Sequence, residues 1–192
     1  MCYIIVDVDD TLIETHSNHK VSLIKNTFLS TPSNVTAMPE VLKFFCERLH
    51  QPAVYYLSAS PFNLFPYKRA FHNLEDFPKG KIILPSGMRA LSFVFSSSQI
   101  LKYKTARILD LCASEQYLVF FGDSLQFDPE IYGEVYRSYP KWVRAIYIRR
   151  VGKPTAAKND PERFIKAFDQ VPINVYRIFD DPRDLIADPL VY

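Results

Sequence analysis

Acidic side chains cluster at the end of the first apolar run of the sequence. Asp7 and Asp9 lie where residues 3–8 end, and that aromatic and β-branched run is typical of a strand buried on both faces of a parallel sheet. Residues two apart on a strand point to the same side, and two like charges so close are costly unless a cation or a proton lies between them. The alternative is a solvated acidic turn, and the rest of the chain argues against it.

Further polar side chains occupy comparable positions later in the chain. Ser58 follows the apolar run 53–57, and Lys104 lies near the start of a helical pattern. Asp123 and Asp128 come after another apolar run. The carboxyl ends of strands in a doubly wound sheet meet at one edge, so we expect these groups to converge. Carboxylates suit Mg²⁺, an Asp can attack phosphorus, and a hydroxyl and an ammonium can hold phosphate oxygens. The set predicts phosphoryl transfer through a metal.

The elements that must position these groups alternate between strand and helix. Apolar runs predict strands at 3–8, 53–57, 82–84, 117–121, 142–148 and 174–179, with a further short one at 91–95. Helical spacing predicts helices at 39–50, 62–73, 99–111, 129–139 and from 181 onwards. This alternation predicts an α/β fold, a doubly wound parallel sheet with helices on both faces.

The length of 192 residues fits a single domain, 1–192. Residues 12–37 lack periodicity, and a long connection of that kind is usually functional. We therefore predict a small flap or cap inserted after the first strand. Arg149 and Arg150 are expected to be solvated at the end of the strand 142–148, with contact to an anionic head group as the alternative.

Composition limits the classes of partner. The chain is 48% hydrophobic, enough for a full core, and its net charge of +2 argues against nonspecific nucleic-acid binding, which needs a basic face. Its three cysteines are widely separated with no C-x-x-C pair, so neither a zinc site nor a disulfide framework is expected. The sequence has no leader and no run as long as a membrane span, so we expect a cytoplasmic protein that meets lipid only from the water side.

The polar groups resemble, in order, the four motifs of the haloacid dehalogenase superfamily. Residues 7–11 match its D-x-D-x-T, Ser58 its second motif and Lys104 its third. Gly122-Asp123 with Asp128 matches the fourth. Fold and chemistry expected from the residues agree with this resemblance.

Lys102 competes with Lys104 for the third motif. Ile108 lies four residues after Lys104, as in the superfamily's K-x-x-x-I, and this spacing favours Lys104.

Longer segments resemble a narrower family, the actin-patch-associated phosphatidate phosphatase catalytic domain. The segments YLSASPFNLFP at 56–66 and FPKG at 77–80 are similar to its sequence. FGDS at 121–124 with DPEIY at 128–132, and AIYIR at 145–149, are similar too. The similar segments lie in order over about residues 3–150.

The resemblance implies a role for each reacting group. Asp7 would be the nucleophile, and Asp9 would protonate the leaving alkoxide and then activate water on the aspartyl-phosphate. Ser58 and the Ala59 amide would hold phosphate oxygens. Lys104 would neutralise the phosphate and steady Asp7.

The resemblance also implies a metal site. Asp7, the backbone carbonyl of Asp9 and Asp123 would ligate Mg²⁺. Asp128 would act through water or by orienting the motif lysine, or would be only a helix N-cap followed by proline. Thr11 of the first motif belongs to the substrate-binding set.

The implied function is a Mg²⁺-dependent phosphatase of the haloacid dehalogenase superfamily. Its favoured substrate is phosphatidate at a membrane surface, which would yield diacylglycerol and phosphate. One alternative is a phosphatase of soluble phosphomonoesters or phosphoproteins. Another is a noncatalytic module for phosphatidate binding or protein interaction, and the intact Asp7 and Asp9 argue against it.

Overall fold

The computed structural model describes residues 2–14, 33–59, 73–85, 97–112, 116–187 and 189–190. The short strand predicted at 91–95 lies outside these ranges. So do residues 62–72 of the helix predicted at 62–73.

Strands and helices alternate along the described ranges, as the apolar pattern predicts. The strands are β1 (Cys2–Asp7), β2 (Ala53–Leu57), β3 (Lys81–Ile83), β4 (Tyr117–Asp123), β5 (Val143–Arg149) and β6 (Tyr176–Phe179). The α-helices are α1 (Met38–Arg48), α2 (Ser97–Cys112), α3 (Asp128–Ser138), α4 (Pro161–Ala167) and α5 (Asp184–Ala187), with 3₁₀ turns at Asn73–Asp76 and Ala157–Asn159. None of the helices in these ranges is long and apolar enough to cross a bilayer.

The strands form one parallel sheet in the order β3-β2-β1-β4-β5-β6. Strands β2 and β3 follow on one side of β1, whereas β4, β5 and β6 follow on its other side. The strand order therefore reverses between β1 and β4. Such a switch point opens a crevice at the carboxyl ends of the strands. Asp7 is the last residue of β1 and Asp123 the last of β4, so both lie at the mouth of this crevice.

Helices cover both faces of the sheet, which confirms the predicted α/β class. Ile4 and Val6 of β1 pack in one core with Phe45 of α1, whereas Ile5 packs in a second core with Ile131 of α3. Neighbouring residues of a strand point to opposite faces, so a strand that is apolar throughout requires cover on both sides.

The two ends of the predicted insert lie side by side. The amide of Glu14 donates to the carbonyl of Ser33 at 2.9 Å, and the amide of Val35 donates to the carbonyl of Leu12 at 2.7 Å. The chain thus leaves and re-enters the fold at one place after β1. The flap at 12–37 and the single domain 1–192 stay predictions, since residues 15–32 lie outside the described part of the chain.

Helix α4 has no counterpart among the predicted elements. Asp160 caps it, because its Oδ1 accepts a hydrogen bond from the amide of Glu162 at 3.0 Å, and Pro161 occupies the first turn. Phe164 and Ala167 are buried. The start signal was present in the sequence, but seven residues are too few to show helical periodicity.

Candidate active site

The chain turns tightly after β1. The amide of Leu12 donates to the carbonyl of Val8 at 3.0 Å, and Asp10 adopts a left-handed backbone with φ of 55°. We expected strand alternation to place Asp7 and Asp9 on the same side, but β1 ends at Asp7 and Asp9 lies beyond the strand. The turn instead gives the carboxylates of Asp7 and Asp9 different partners.

Lys104 is the ammonium of this site. Its side chain is 1% exposed, and its Nζ lies 2.6 Å from Oδ1 of Asp7 and 2.8 Å from Oδ1 of Asp128. Ile108, one turn later on α2, is buried in the core below. Lys102, the rival for this position, is exposed. The structure therefore brings Lys104 into the acidic cluster and leaves Lys102 at the surface.

Three buried carboxylates converge at the switch point. Asp7, Asp123 and Asp128 each offer an oxygen, and these oxygens all lie within 4.8 Å of one another. If all three were ionised, these carboxylates beside one ammonium would leave an excess of two negative charges, which is unfavourable in a buried site. The donor set is all oxygen, which suits a hard divalent cation such as Mg²⁺. The residues fit such an ion in both charge and donor type.

Burial and mutual repulsion control protonation here. Burial raises the pKa of Asp7 well above its ordinary value, and Lys104 opposes this rise. Burial, with the Asp128 carboxylate nearby, raises the pKa of Asp123 to about 8. Burial alone would lower the pKa of Lys104, but the carboxylates of Asp128 and Asp7 reverse this effect and raise it. The ammonium thus stays charged, while the acidic group favours a bound proton or cation.

The loop after β4 orients the Asp123 carboxylate. Oδ1 of Asp123 accepts hydrogen bonds from the amide of Leu125 at 2.6 Å and from the amide of Gln126 at 3.1 Å. Oδ2 of Asp128 accepts one from the amide of Asp123 at 3.1 Å. A Cβ at Gly122 would lie only 2.6 Å from Cβ of Asp128, so glycine is required there for the Asp128 side chain to approach.

Asp128 is not a helix N-cap, and that alternative is wrong. Helix α3 begins at Asp128 itself, Phe127 occupies the cap position, and no cap side chain bonds the first turn. Both carboxylate oxygens of Asp128 are used elsewhere, one by Lys104 and one by the amide of Asp123. Pro129 does lie in the first turn, as expected.

The remaining predicted residues, Asp9, Thr11, Ser58 and Ala59, are also buried at the site. Oγ of Ser58 donates to Oδ2 of Asp9 at 2.9 Å, and Ala59 is buried beside it. Oγ1 of Thr11 is buried 3.4 Å from Oδ2 of Asp7. The structure therefore brings all eight predicted side chains to the carboxyl ends of β1, β2 and β4.

Two residues that contact the site, Gln126 and Arg149, were missed by the sequence analysis. Oε1 of Gln126 accepts from Nζ of Lys104 at 3.3 Å, and its Nε2 lies 3.5 Å from Oδ2 of Asp7. Nη1 of Arg149 donates to the carbonyl of Asp10 at 2.7 Å, so the solvated strand end predicted for Arg149 is wrong. Gln126 stands at an unspecified position of the fourth motif, and no local pattern marks either contact.

Comparisons with known proteins cover most of the chain. A family model for the catalytic domain of the phosphatidate phosphatase APP1 matches residues 2–150. The uncharacterized protein C29B5.04c of Schizosaccharomyces pombe is 25% identical over 150 residues, which is 77% of this chain and 25% of that protein. The chain thus spans about a quarter of the length of the curated relative it matches. No solved structure matches it.

Proposed function

The chain belongs to the family of the phosphatidate phosphatase APP1 catalytic domain, a haloacid-dehalogenase-like family, and on that premise we propose that it is a Mg²⁺-dependent phosphatase of phosphatidate. The observation that carries the proposal is the contact between Lys104 and Asp7 within a cluster of buried carboxylates. A carboxylate beside an ammonium is suited to attack phosphorus, and the neighbouring acidic oxygens are suited to a hard cation. Family membership supports the phosphatase class.

The cation would be held by side chains from the ends of β1 and β4 and from the start of α3. These are the carboxylates of Asp7, Asp123 and Asp128, with the backbone carbonyl of Asp9 as a further ligand. The excess of negative charge among the three carboxylates supports this assignment. A bound divalent cation supplies charge neutralisation at the phosphate oxygens.

Asp7 would attack phosphorus in line and form an aspartyl-phosphate. It must be ionised to do so, whereas burial favours its protonated form. The Lys104 ammonium at 2.6 Å counters that tendency and fixes the position of the carboxylate. As phosphorus is attacked, the same ammonium can stabilise charge on the phosphate oxygens.

Asp9 would protonate the leaving alkoxide and then take a proton from the attacking water. The hydroxyl of Ser58 donates to Oδ2 of Asp9 at 2.9 Å. In the substrate complex Ser58 and the Ala59 amide would turn to phosphate oxygens.

The proposed substrate is phosphatidate at a membrane surface facing the cytoplasm, with diacylglycerol and phosphate as products. The direct test is phosphate release from phosphatidate in mixed micelles beside a panel of soluble phosphomonoesters. Each assay is run with Mg²⁺, with a chelator, and with the Asp7→Asn variant.

Release that is confined to the lipid, requires Mg²⁺ and is lost with Asp7→Asn is the expected result. Release from the soluble phosphomonoesters alone would agree with the proposed mechanism but would show that phosphatidate is not the substrate. Phosphatidate binding to vesicles without turnover by the folded wild type would instead support the noncatalytic alternative.

A further inference from the structure

Arg163 of α4 binds the loop between β4 and α3, residues 124–127. Its Nε and Nη2 form a two-pronged ion pair with Glu130, at 2.7 and 2.8 Å. The same guanidinium donates to the backbone carbonyls of Ser124 and Gln126. Its side chain is 15% exposed. A planar guanidinium can make these bonds together, because its donors point in fixed directions.

The β4–α3 loop supports the acidic cluster in two ways. The amides of Leu125 and Gln126 hold Oδ1 of Asp123. The side chain of Gln126 contacts both Lys104 and Asp7. A shift of the loop would therefore turn the Asp123 carboxylate and move a polar group beside the proposed nucleophile.

Helix α4 is well placed to fix this loop. A Cβ at Gly133 would overlap the carbonyl oxygen of Ala167, so α4 ends in close contact with α3. Arg137 of α3 donates to the carbonyls of Ala167 and Asp169. Arg163 extends this packing to the loop, because it binds backbone carbonyls of the loop. The backbone amides of Leu125 and Gln126 in the same loop donate to Asp123.

We propose that Arg163 is a positioning residue for the metal site, an inference that rests on the proposed function. It acts through the β4–α3 loop and touches none of the proposed ligands in the described residues. It also lies beyond residues 2–150, the range that the family model matches. The segment after the matched range would thus belong to the catalytic unit. Partners that orient metal ligands typically change metal affinity by about 10- to 100-fold.

The test is Mg²⁺ binding to the full chain without substrate, measured by titration calorimetry. We expect Arg163→Met to weaken binding by about 10- to 100-fold. Arg163→Lys should recover only part of the loss, because one ammonium cannot replace the fork of donors. Arg137→Met is the matched control, since it cuts bonds between α3 and the α4 segment without touching the loop, and Mg²⁺ affinity should not change.

Two results would overturn different claims. If the wild type binds Mg²⁺ and the folded Arg163→Met binds it equally well, the positioning role is wrong. If the wild type does not bind Mg²⁺, the proposed function is wrong and this inference falls with it.

Should Arg163→Met fail to fold, Glu130→Gln replaces it, because that change removes the charge which holds the guanidinium while keeping an acceptor. Unchanged affinity in Glu130→Gln would then count against the role.

Discussion

The ammonium nitrogen of Lys104 lies 2.6 Å from Oδ1 of Asp7, although 97 positions separate the two residues in the chain. Both side chains are 1% exposed, and Asp128 accepts a second bond from the same ammonium. Removing one partner of a buried pair leaves the other charge uncompensated, which typically costs about 3–5 kcal/mol. The contact therefore links the stability of the site with its proposed chemistry.

Replacing Lys104 should impair both activity and stability. We expect Lys104→Met to lower kcat/KM for phosphate release by about 100- to 1,000-fold, the range found when one charge-stabilising donor is lost. The melting temperature should also fall. Lys102→Met, on the exposed side of α2, should change neither quantity measurably. Equal losses in the two variants would contradict the role given to Lys104.

Much of this site could be predicted because its signals are local. The apolar runs that end at Asp7 and before Asp123 mark central parallel strands, and the parallel arrangement brings their carboxyl ends together. Lys104 could be preferred over Lys102 because Ile108 follows it by four residues, as in the K-x-x-x-I of the superfamily that the sequence resembles.

The rest depends on contacts that are distant in sequence. Arg163 lies 39 positions from Ser124, whose carbonyl it binds, and no local pattern predicts that pairing. The turn after Asp7 was mistaken for a continuing strand because apolar and acidic residues alternate across it. Asp128 was open to interpretation as a cap because Asp-Pro is a common helix start, whereas its oxygens serve Lys104 and Asp123.

Gly122 should be intolerant of even one added methyl group. In Gly122→Ala the new Cβ would lie 2.6 Å from Cβ of Asp128 and 2.7 Å from the ring of Tyr132, so the packing around Asp128 must shift. We expect kcat/KM to fall by about 100-fold, because small displacements in a catalytic site have effects of that size.

Gly152→Ala is the control for the Gly122 variant. Gly152 has φ of 81° and no neighbouring atom within 4 Å of an added Cβ. Alanine there should cost about 1–2 kcal/mol of stability through backbone strain alone, with activity unchanged. An active Gly122→Ala enzyme would show that Asp128 need not stay where it is.

The roles of Asp9 and Asp7 can be distinguished with p-nitrophenyl phosphate as substrate, because its leaving group needs no proton. In Asp9→Asn the first step should proceed while hydrolysis of the aspartyl-phosphate stalls, because water lacks its base. Rapid-quench kinetics should show a burst of nitrophenol that approaches one equivalent of enzyme, followed by a slow phase. Asp7→Asn should give no burst. A burst that survives in Asp7→Asn would exclude Asp7 as the nucleophile.

Mg²⁺ binding should strengthen as pH rises, because the cation competes with protons. Burial raises the pKa of Asp123 to about 8 in the metal-free protein, against 3.8 for an ordinary Asp. Between those values the folded state binds more protons than the unfolded chain, so this group lowers the free energy of unfolding as pH increases. Mg²⁺ binding must displace the proton, so affinity should rise about tenfold per pH unit below about pH 8 and then level off.

The measurement is Mg²⁺ titration calorimetry at pH steps from about 6 to about 9, with the gain in melting temperature on adding Mg²⁺ recorded beside it. Asp181→Asn is the control, because Arg183 holds the pKa of Asp181 at about 2, so its carboxyl is ionised throughout that range. The control should show the wild-type pH profile. An affinity that does not change with pH would mean that no carboxyl of the cluster gives up a proton to the cation, and the raised pKa of Asp123 would then be wrong.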